Sequence, residues 1–206
     1  MNRPPDGYLL LDLNISDSPV ILKNLSIRKR RAPLGEGDLY YSRLMRIRIP
    51  VAVAEPGAEI TIEPLCAPEL HGHVLSAITI NPRRLGRPYR YIYGQCVFGP
   101  RPCNTFNAVC RVNVSDGTAI TWHDSPSVVI AGPPVFVPRP GARYVDEKDG
   151  VILVDGLGAD GRAVIVLLSG RTFCELARVV VPYRHTVSTG TTWVWDHHEE
   201  YEAAQS

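Results

Sequence analysis

The sequence lacks an excess of charge of either sign, because its 206 residues include 22 basic and 21 acidic side chains. Without a net field, the composition favours neither nucleic acid nor an anionic lipid surface as a partner. Long apolar runs are also missing: no window reaches the roughly 18 residues that span a bilayer, and the stretch 1–6 contains no apolar signal segment. We therefore expect a cytoplasmic protein without a transmembrane segment and without a nucleic-acid partner.

Paired cysteine motifs are absent as well. The five cysteines are irregularly spaced and include no Cys-x-x-Cys pair; they are Cys66, Cys96, Cys103, Cys110 and Cys174. In a cytoplasmic protein this pattern predicts reduced thiols at structural positions and no zinc site. Gly-x-Ser-x-Gly does not occur, and Gly156–Gly161 fits Gly-x-Gly-x-x-Gly only superficially, because it connects two strand-like runs and does not open a helix. We predict a hairpin turn there.

Strand patterns dominate the sequence, since no long segment combines a helical period with caps at both ends. The runs Val151–Val154 and Ala163–Leu168 are continuously apolar and bounded by glycine-rich turns, which is typical of a strand buried on both faces and its hairpin partner. The 18 prolines and 17 glycines suit many short strands joined by tight turns. The predicted fold class is therefore all-β.

One of these strands has a two-faced pattern. In Leu44–Ile49, aliphatic residues alternate with Arg46 and Arg48, so the two arginines share one face and aliphatic side chains occupy the other. We expect the arginine face to lie against solvent and not to form a ligand site.

Five motifs follow one another in a fixed order. They are Asp6–Asp12 (Asp-Gly-Tyr-Leu-Leu-Leu-Asp), Ile80–Gly94 (with Ile-Asn-Pro and Arg-Pro-Tyr-Arg-Tyr-Ile-Tyr-Gly), Pro133–Pro140 (Pro-Pro-Val-Phe-Val-Pro-Arg-Pro), Glu147–Gly150 (Glu-Lys-Asp-Gly) and Glu175–Arg178 (Glu-Leu-Ala-Arg). The series resembles the C-terminal two fifths of the carotenoid cleavage oxygenases, the family of apocarotenoid and stilbene dioxygenases and of the retinoid isomerase of pigment epithelium.

The resemblance implies part of a seven-bladed β-propeller, of which residues 1–195 would supply about the last three blades. Residues 196–206 would form a polar C-terminal tail, and Thr172–Arg178 would be a turn leading into a strand. A propeller removes its sheet edges by closing into a ring. A partial ring is expected to leave an edge and an apolar blade face uncovered.

The family chemistry implied by the resemblance is Fe(II)-dependent oxidative cleavage of a polyene or stilbene double bond, with iron held by four histidines. Three of them would precede Met1. The fourth falls on Thr189 when the sequences are aligned on the glycine, or on Gly190 without a gap. Two glutamates that orient the ligands in the family correspond to Ser76 and Pro133. We therefore expect this chain to provide no metal ligand, no catalytic residue and no bound cofactor.

The remaining histidines are interpreted as structural or solvent-exposed. His185 lies four or five residues before the vacated position, roughly 13–17 Å along an extended strand. His71 and His73 could chelate a transition metal, but we interpret them as loop histidines. His123 is predicted on a strand rim, and His197 and His198 in the polar tail.

Three functions remain open from the sequence. The first is a truncated family member that is not catalytic alone, and the second is one half of a split dioxygenase completed by an upstream propeller half. The third is a non-catalytic module that binds an apolar small molecule or a protein. Self-association through the open edge is a further expectation for the first of these.

Overall fold

The structure, a computed structural model, describes residues 7–16, 18, 42–51, 59–66, 76–98, 106–124, 128–141 and 146–184, with only the backbone of residues 183 and 184. Within these ranges the chain is built from strands and one short 3₁₀ turn at Pro82–Arg84, so the all-β prediction is confirmed. The strands are β1 Tyr8–Ser16, β2 Ser42–Pro50, β3 Thr61–Pro64, β4 Ser76–Ile80, β5 Tyr91–Cys96, β6 Ala108–Asn113, β7 Ala119–His123, β8 Val128–Ile130, β9 Val135–Pro138, β10 Gly150–Gly158, β11 Arg162–Ser169 and β12 Glu175–Arg184.

The strands form three antiparallel sheets. The first sheet has the order β1-β2-β3, the middle sheet β4-β5-β6-β7, and the third sheet β12-β11-β10-β8, with β9 also pairing to β10. Contacts run from β1 to β4 between the first and middle sheets, and from β4 to β9 and β6 to β8 between the middle and third sheets. The middle sheet is therefore packed between the other two.

Two apolar cores fill these interfaces. One joins the middle and third sheets around Tyr93, Val109, Ile152, Val166 and Leu168. The other joins the first and middle sheets, where Leu44 packs with residues such as Ile92, Cys110 and Val112. Burying apolar surface between sheets stacked about 10 Å apart is the usual way in which such layers are held together.

The hairpin predicted at Gly156–Gly161 is confirmed, because β10 and β11 pair in register and Gly161 N–H donates to the Gly158 carbonyl. β10 is buried on both faces, as its consecutive buried residues Ile152, Leu153 and Val154 show. In its partner β11 buried residues alternate with half-buried ones. The prediction that Thr172–Arg178 is a turn leading into a strand is also confirmed, because a turn ends at Thr172 and β12 begins at Glu175.

The face assignment of β2 was wrong. Arg46 lies opposite Asp12 of β1, and its guanidinium bonds both carboxylate oxygens of Asp12 at 2.8 Å. This face packs towards the middle sheet through Tyr89, whose hydroxyl donates to Asp12. The aliphatic face, including Leu11 and Leu13 of β1, is the one left uncovered.

No helix in the described ranges is long and apolar enough to cross a bilayer. Residues 185–206, which include the predicted tail and the end of the predicted propeller domain, lie outside the described residues. The domain boundary near residue 195 therefore stays a prediction.

Candidate functional site

The two positions where the resemblance places glutamates lie on adjoining segments. Ser76 begins β4 and is paired with Gln95 of β5, and Pro133 lies just before β9. The Thr79 hydroxyl donates to the Pro134 carbonyl oxygen at 2.7 Å, which ties β4 to the segment before β9. The structure thus brings the two segments together at the seam between the middle and third sheets, but neither predicted position carries a carboxylate.

The backbone beside Ser76 is irregular. The pairing of β4 with β5 shifts register between Ser76 and Thr79, and Ala77 has a φ of 47°. A positive φ is uncommon for alanine, and such bulges change the direction in which neighbouring side chains project. The alternating sequence pattern does not predict this bulge.

His123 is the only histidine among the described residues. It ends β7, is exposed, and stacks on Phe98 with ring centroids 3.6 Å apart. The rim position predicted for it agrees with this placement. His71, His73, His185, Thr189, Gly190, His197 and His198 all lie outside the described residues.

The described residues do not fit a non-haem iron centre. Such a centre in this family would need several imidazoles, and within the described ranges no group of three or more His, Cys, Asp or Glu side chains is arranged so that it could hold a metal ion. The only imidazole among the described residues, that of His123, stacks on the ring of Phe98. No chemical step through iron can therefore be derived from the described side chains.

Residues of the motifs that carry the family resemblance instead form hydrogen bonds and ion pairs that join separate segments of the chain. Asn81 accepts a hydrogen bond from Arg83 N–H and donates to the Glu147 carbonyl at 3.2 Å. The Glu147 carboxylate accepts from Arg90 N–H at 2.8 Å and pairs with Arg84 at 3.5 Å. This network joins the Ile-Asn-Pro and Arg-Pro-Tyr elements to the Glu-Lys-Asp-Gly turn before β10.

The Pro-Arg-Pro and Glu-Lys-Asp-Gly motifs are joined by another pair. Arg139 makes two bonds to the Asp149 carboxylate, at 3.0 and 2.6 Å, and the guanidinium of Arg171 also approaches this carboxylate. The bond from Arg139 holds the pKa of Asp149 below its ordinary value and raises that of Arg139. The carboxylate is therefore committed to an ion pair, which does not suit it to proton transfer.

The first and middle sheets are joined by hydrogen bonds among a trio of residues, Asp12, Arg46 and Tyr89. The Asp12 side chain is 2 % exposed and that of Arg46 19 %. Burial, followed by the hydrogen bond to Asp12, raises the pKa of the Tyr89 phenol, and the bond to Asp12 raises the pKa of Arg46. The Tyr89 phenol therefore stays protonated and Arg46 stays charged across the physiological range.

Tyr93 lies buried between the middle and third sheets, together with Phe136 and Phe173. Its ring stacks on Phe136 at 5.4 Å and on Phe173 at 6.5 Å, and its hydroxyl is buried with no hydrogen-bond partner in the described part of the chain. Burial raises the pKa of this phenol. Arg111 of β6 donates a hydrogen bond to the carbonyl oxygen of Gly170, which follows β11, and so also joins the middle and third sheets.

Three of the four described cysteines belong to a core and the fourth lies on the surface. Cys96 and Cys110 lie buried in the core between the first and middle sheets with Cys66 at its margin, and Cys174 is exposed on a turn; all four are free thiols. A hydrogen bond with Cys96, together with burial, raises the pKa of the Cys110 thiol. A buried, protonated thiol is a poor nucleophile and a poor metal ligand. Cys103 lies outside the described residues.

These contacts could not be predicted from the sequence because most of them join residues far apart in the chain. The available signal was the presence of charged and amide residues inside otherwise apolar or turn-forming motifs, namely Asp12, Asn81, Glu147 and Asp149. Buried polar groups of this kind need partners. The sequence does not say which partner each one finds.

The comparisons with known proteins agree with this architecture. The family model described as "Retinal pigment epithelial membrane protein" matches residues 6–194. The carotenoid cleavage dioxygenase 8 homolog B of Oryza sativa subsp. japonica, a protein named as chloroplastic, is 36% identical over 174 residues, which is 84% of this chain and 29% of that protein. The torulene dioxygenase of Fusarium fujikuroi is 38% identical over 103 residues, covering 48% of this chain and 17% of that protein.

The fold also matches solved structures of Synechocystis apocarotenoid oxygenase. One variant of that enzyme superposes with a TM-score of 0.75 at 22% identity, covering 93% of this chain and 37% of that one. This chain spans less than a third of the length of the rice relative and a little over a third of the Synechocystis structure. The chain belongs to the carotenoid cleavage oxygenase family.

Proposed function

We propose that this chain is a carotenoid cleavage oxygenase relative that does not cleave a polyene double bond by itself. The observation that carries the proposal is the chemistry of the adjoining segments at Ser76 and Pro133. A serine hydroxyl is a short and weak acceptor for an imidazole N–H, and a proline side chain offers no acceptor at all. The family resemblance puts Thr189 or Gly190 at the position of the fourth histidine, and neither has an imidazole, so on this proposal the ligand and its supporting residues are both missing.

The proposal concerns this chain and not the activity of its relatives. The printed names of the rice and Fusarium proteins describe dioxygenases, and this chain matches only 29% and 17% of their respective lengths. Oxidative cleavage of a carotenoid-like substrate, with Fe(II) as the cofactor, is therefore the chemistry from which this chain is proposed to have departed.

A split dioxygenase is the second candidate. The aliphatic outer face of the first sheet, with Leu11 and Leu13 exposed, supports a complementary protein segment that would cover it. The residues at Ser76, Pro133 and Thr189 speak against it, because they would remain in any assembly that contains this chain.

A non-catalytic binder is the third candidate, and the same exposed face supports it. Titration with a retinoid or an apocarotenoid, followed by tryptophan fluorescence, tests the small-molecule form of this candidate. A saturable change that a Leu13→Glu variant abolishes would favour it over the leading proposal.

The decisive experiment uses iron content in an assembled protein. The chain is co-expressed with the part of the rice relative that precedes the matched region, and iron is measured after anaerobic loading with Fe(II). We expect less than about a tenth of an equivalent of bound iron. A variant carrying Ser76→Glu, Pro133→Glu and Thr189→His serves as the matched control, and it should bind at least several times more iron if the assembly folds.

Iron near one equivalent in the assembly with the unchanged chain, together with oxygen consumption on an apocarotenoid, would refute the proposal and support the split enzyme.

A cytoplasmic location belongs to the proposal as well. The names of the rice and Arabidopsis relatives call those proteins chloroplastic, so fractionation of the expressing cells is the test.

A further inference from the structure

Positively charged side chains gather around the ring of Tyr91, at one end of the seam between the middle and third sheets. Tyr91 begins β5, and the guanidinium carbons of Arg90 and Arg111 lie 5.7 and 5.1 Å from its ring centroid. The Lys148 ammonium, from the segment before β10, lies 5.4 Å from the same centroid. Cations are attracted to the face of an aromatic ring. The ring therefore helps to hold together three like charges that would otherwise repel one another.

The acidic side chains at this end of the seam do not balance all of the positive charge. The four described carboxylates there are each matched with an arginine, in the pairs Glu147–Arg84, Asp116–Arg90, Asp149–Arg139 and Asp146–Arg171. Arg111 donates instead to two neutral acceptors, the carbonyl oxygens of Gly170 and Arg171. In the part of the chain that the structure describes, the Lys148 ammonium has no carboxylate or other hydrogen-bond partner and lies over the Tyr91 ring. Two positive charges, those of Arg111 and Lys148, are therefore left over.

A buried hydroxyl without a partner lies beside the same cations. Tyr93 stands directly opposite Arg111 in the β5–β6 register and is 1% exposed. Its O–H has no hydrogen-bond partner among the described residues. Burial raises the pKa of this phenol, and the positive charge of Arg111 partly offsets the rise. Because buried polar groups in native proteins are rarely left unpaired, the unused donor points to an acceptor that the described residues do not supply.

We propose that Arg90, Arg111 and Lys148, gathered around Tyr91, form a binding site for a phosphate group. A phosphate group carries a charge of about −1.5 to −2 near pH 7, which matches the two positive charges left over at this site. Its oxygens accept charge-assisted hydrogen bonds from guanidinium and ammonium groups. The Arg111 guanidinium is already fixed for this role, because it lies between the rings of Tyr91 and Phe173 and is anchored on the Gly170 carbonyl.

The arrangement favours a compact dianion over other acidic partners. A single carboxylate would leave one of the two positive charges unbalanced. Nucleic acid is bound through several phosphate contacts along a strand, whereas these three cations surround one ring. Arg111 offers planar, preset donors and Lys148 a flexible ammonium that can follow the ligand, a combination that suits one tetrahedral anion.

The test is a calorimetric titration of the purified full-length chain with inorganic phosphate at neutral pH, with the ionic strength held constant by sodium chloride. We expect one saturable site with a dissociation constant of about 1 mM or lower. Because phosphate would bind only the folded chain, the thermal unfolding midpoint should rise with its concentration. No saturable heat and no rise in the midpoint at about ten times that concentration would overturn the proposal.

Two charge variants then locate the binding. Lys148→Gln should weaken phosphate binding at least about ten-fold, because one charge-assisted contact is lost. The matched control is Arg162→Gln, which removes the same charge at the far end of β11, where Arg162 pairs with Asp160. This control should bind phosphate like the unchanged chain, and urea unfolding checks that both variants are folded. Unchanged binding by a folded Lys148→Gln variant, or equal weakening in both variants, would mean that no such site exists.

Further titrations distinguish the molecules that could carry the phosphate group. Glycerol 3-phosphate represents a soluble ester, and phosphatidylcholine vesicles that contain phosphatidic acid represent a lipid headgroup. Binding of the soluble ester, weakened by Lys148→Gln, would support a soluble ligand. Binding of the vesicles alone, weakened by the same change, would support a headgroup. Binding of inorganic phosphate and of neither ester would support the free ion as the ligand.

Discussion

Replacing Arg46 by methionine should cost this fold more than any change to a surface ion pair. The side chain of Arg46 is 19% exposed and holds both oxygens of Asp12, whose own side chain is 2% exposed. Methionine keeps much of the volume and removes the charge. Among the described residues, the Asp12 carboxylate then keeps only the Tyr89 hydroxyl as a partner and stays buried.

The magnitude follows from the burial of the partner that remains. Removing one member of a buried ion pair typically costs about 3–5 kcal/mol, because the other charge is left uncompensated. Against a total stability of about 5–15 kcal/mol for an ordinary domain, that loss is large. It corresponds to a fall in the unfolding midpoint of roughly 10 °C for a chain of this size.

The assay is urea unfolding followed by tryptophan fluorescence, repeated by thermal denaturation. Asp12→Asn combined with Arg46→Met should recover a substantial part of the loss, because the neutral amide is cheaper to bury than the lone carboxylate. Arg162→Met is the matched control, since Arg162 pairs with Asp160 at 2.6 Å but both side chains are about half exposed. That variant should unfold like the unchanged chain.

Arg46→Met within about 1 kcal/mol of the unchanged chain would refute the reasoning, because it would mean that Asp12 is well solvated. An Arg162→Met variant as damaged as Arg46→Met would do so as well, because burial would then not be the deciding factor.

Two further predictions concern pH and backbone packing. Burial raises the pKa of Tyr89 and Tyr93 above the value of about 10 for unfolded tyrosine, so the stability they contribute is intact below pH 10 and is lost as the pH rises from there towards the folded pKa. Tyr89→Phe should flatten the decline of the urea midpoint above pH 10, and an unchanged slope would contradict the assignment. Gly150→Ala would place a Cβ 2.2 Å from the Val137 carbonyl oxygen and should destabilise the chain by about 1–3 kcal/mol or more in the same urea assay. Gly158→Ala, whose nearest atom is a movable side-chain oxygen at 3.1 Å, should cost clearly less.

The strand content and the main hairpin could be predicted because they depend on neighbours in sequence. Continuous apolar runs on either side of Gly156–Gly161 are enough to indicate two strands and a tight turn, and β10 and β11 form that hairpin. The motifs also predicted the family correctly, which the match over residues 6–194 shows. Their order along the chain carried that information.

The roles of the motif residues could not be predicted in the same way. Asp12 lies 34 residues from Arg46 and 77 from Tyr89, and Asn81 lies 66 residues from Glu147. No local pattern encodes such pairings, because they depend on how whole sheets pack. The bulge at Ala77 beside Ser76 is equally invisible to an alternating pattern.

By itself, the sequence determined that this protein is built from β-strands and which side chains share a face of each strand, because alternation along a strand is a property of the backbone. Only the tertiary structure decided which face is covered. In β2 the pattern is equally compatible with either choice. The expectation that arginines face solvent was reversed because Asp12 neutralises Arg46 and is itself bonded to Tyr89 of the middle layer. The aliphatic face, with Leu11 and Leu13, was thereby left exposed.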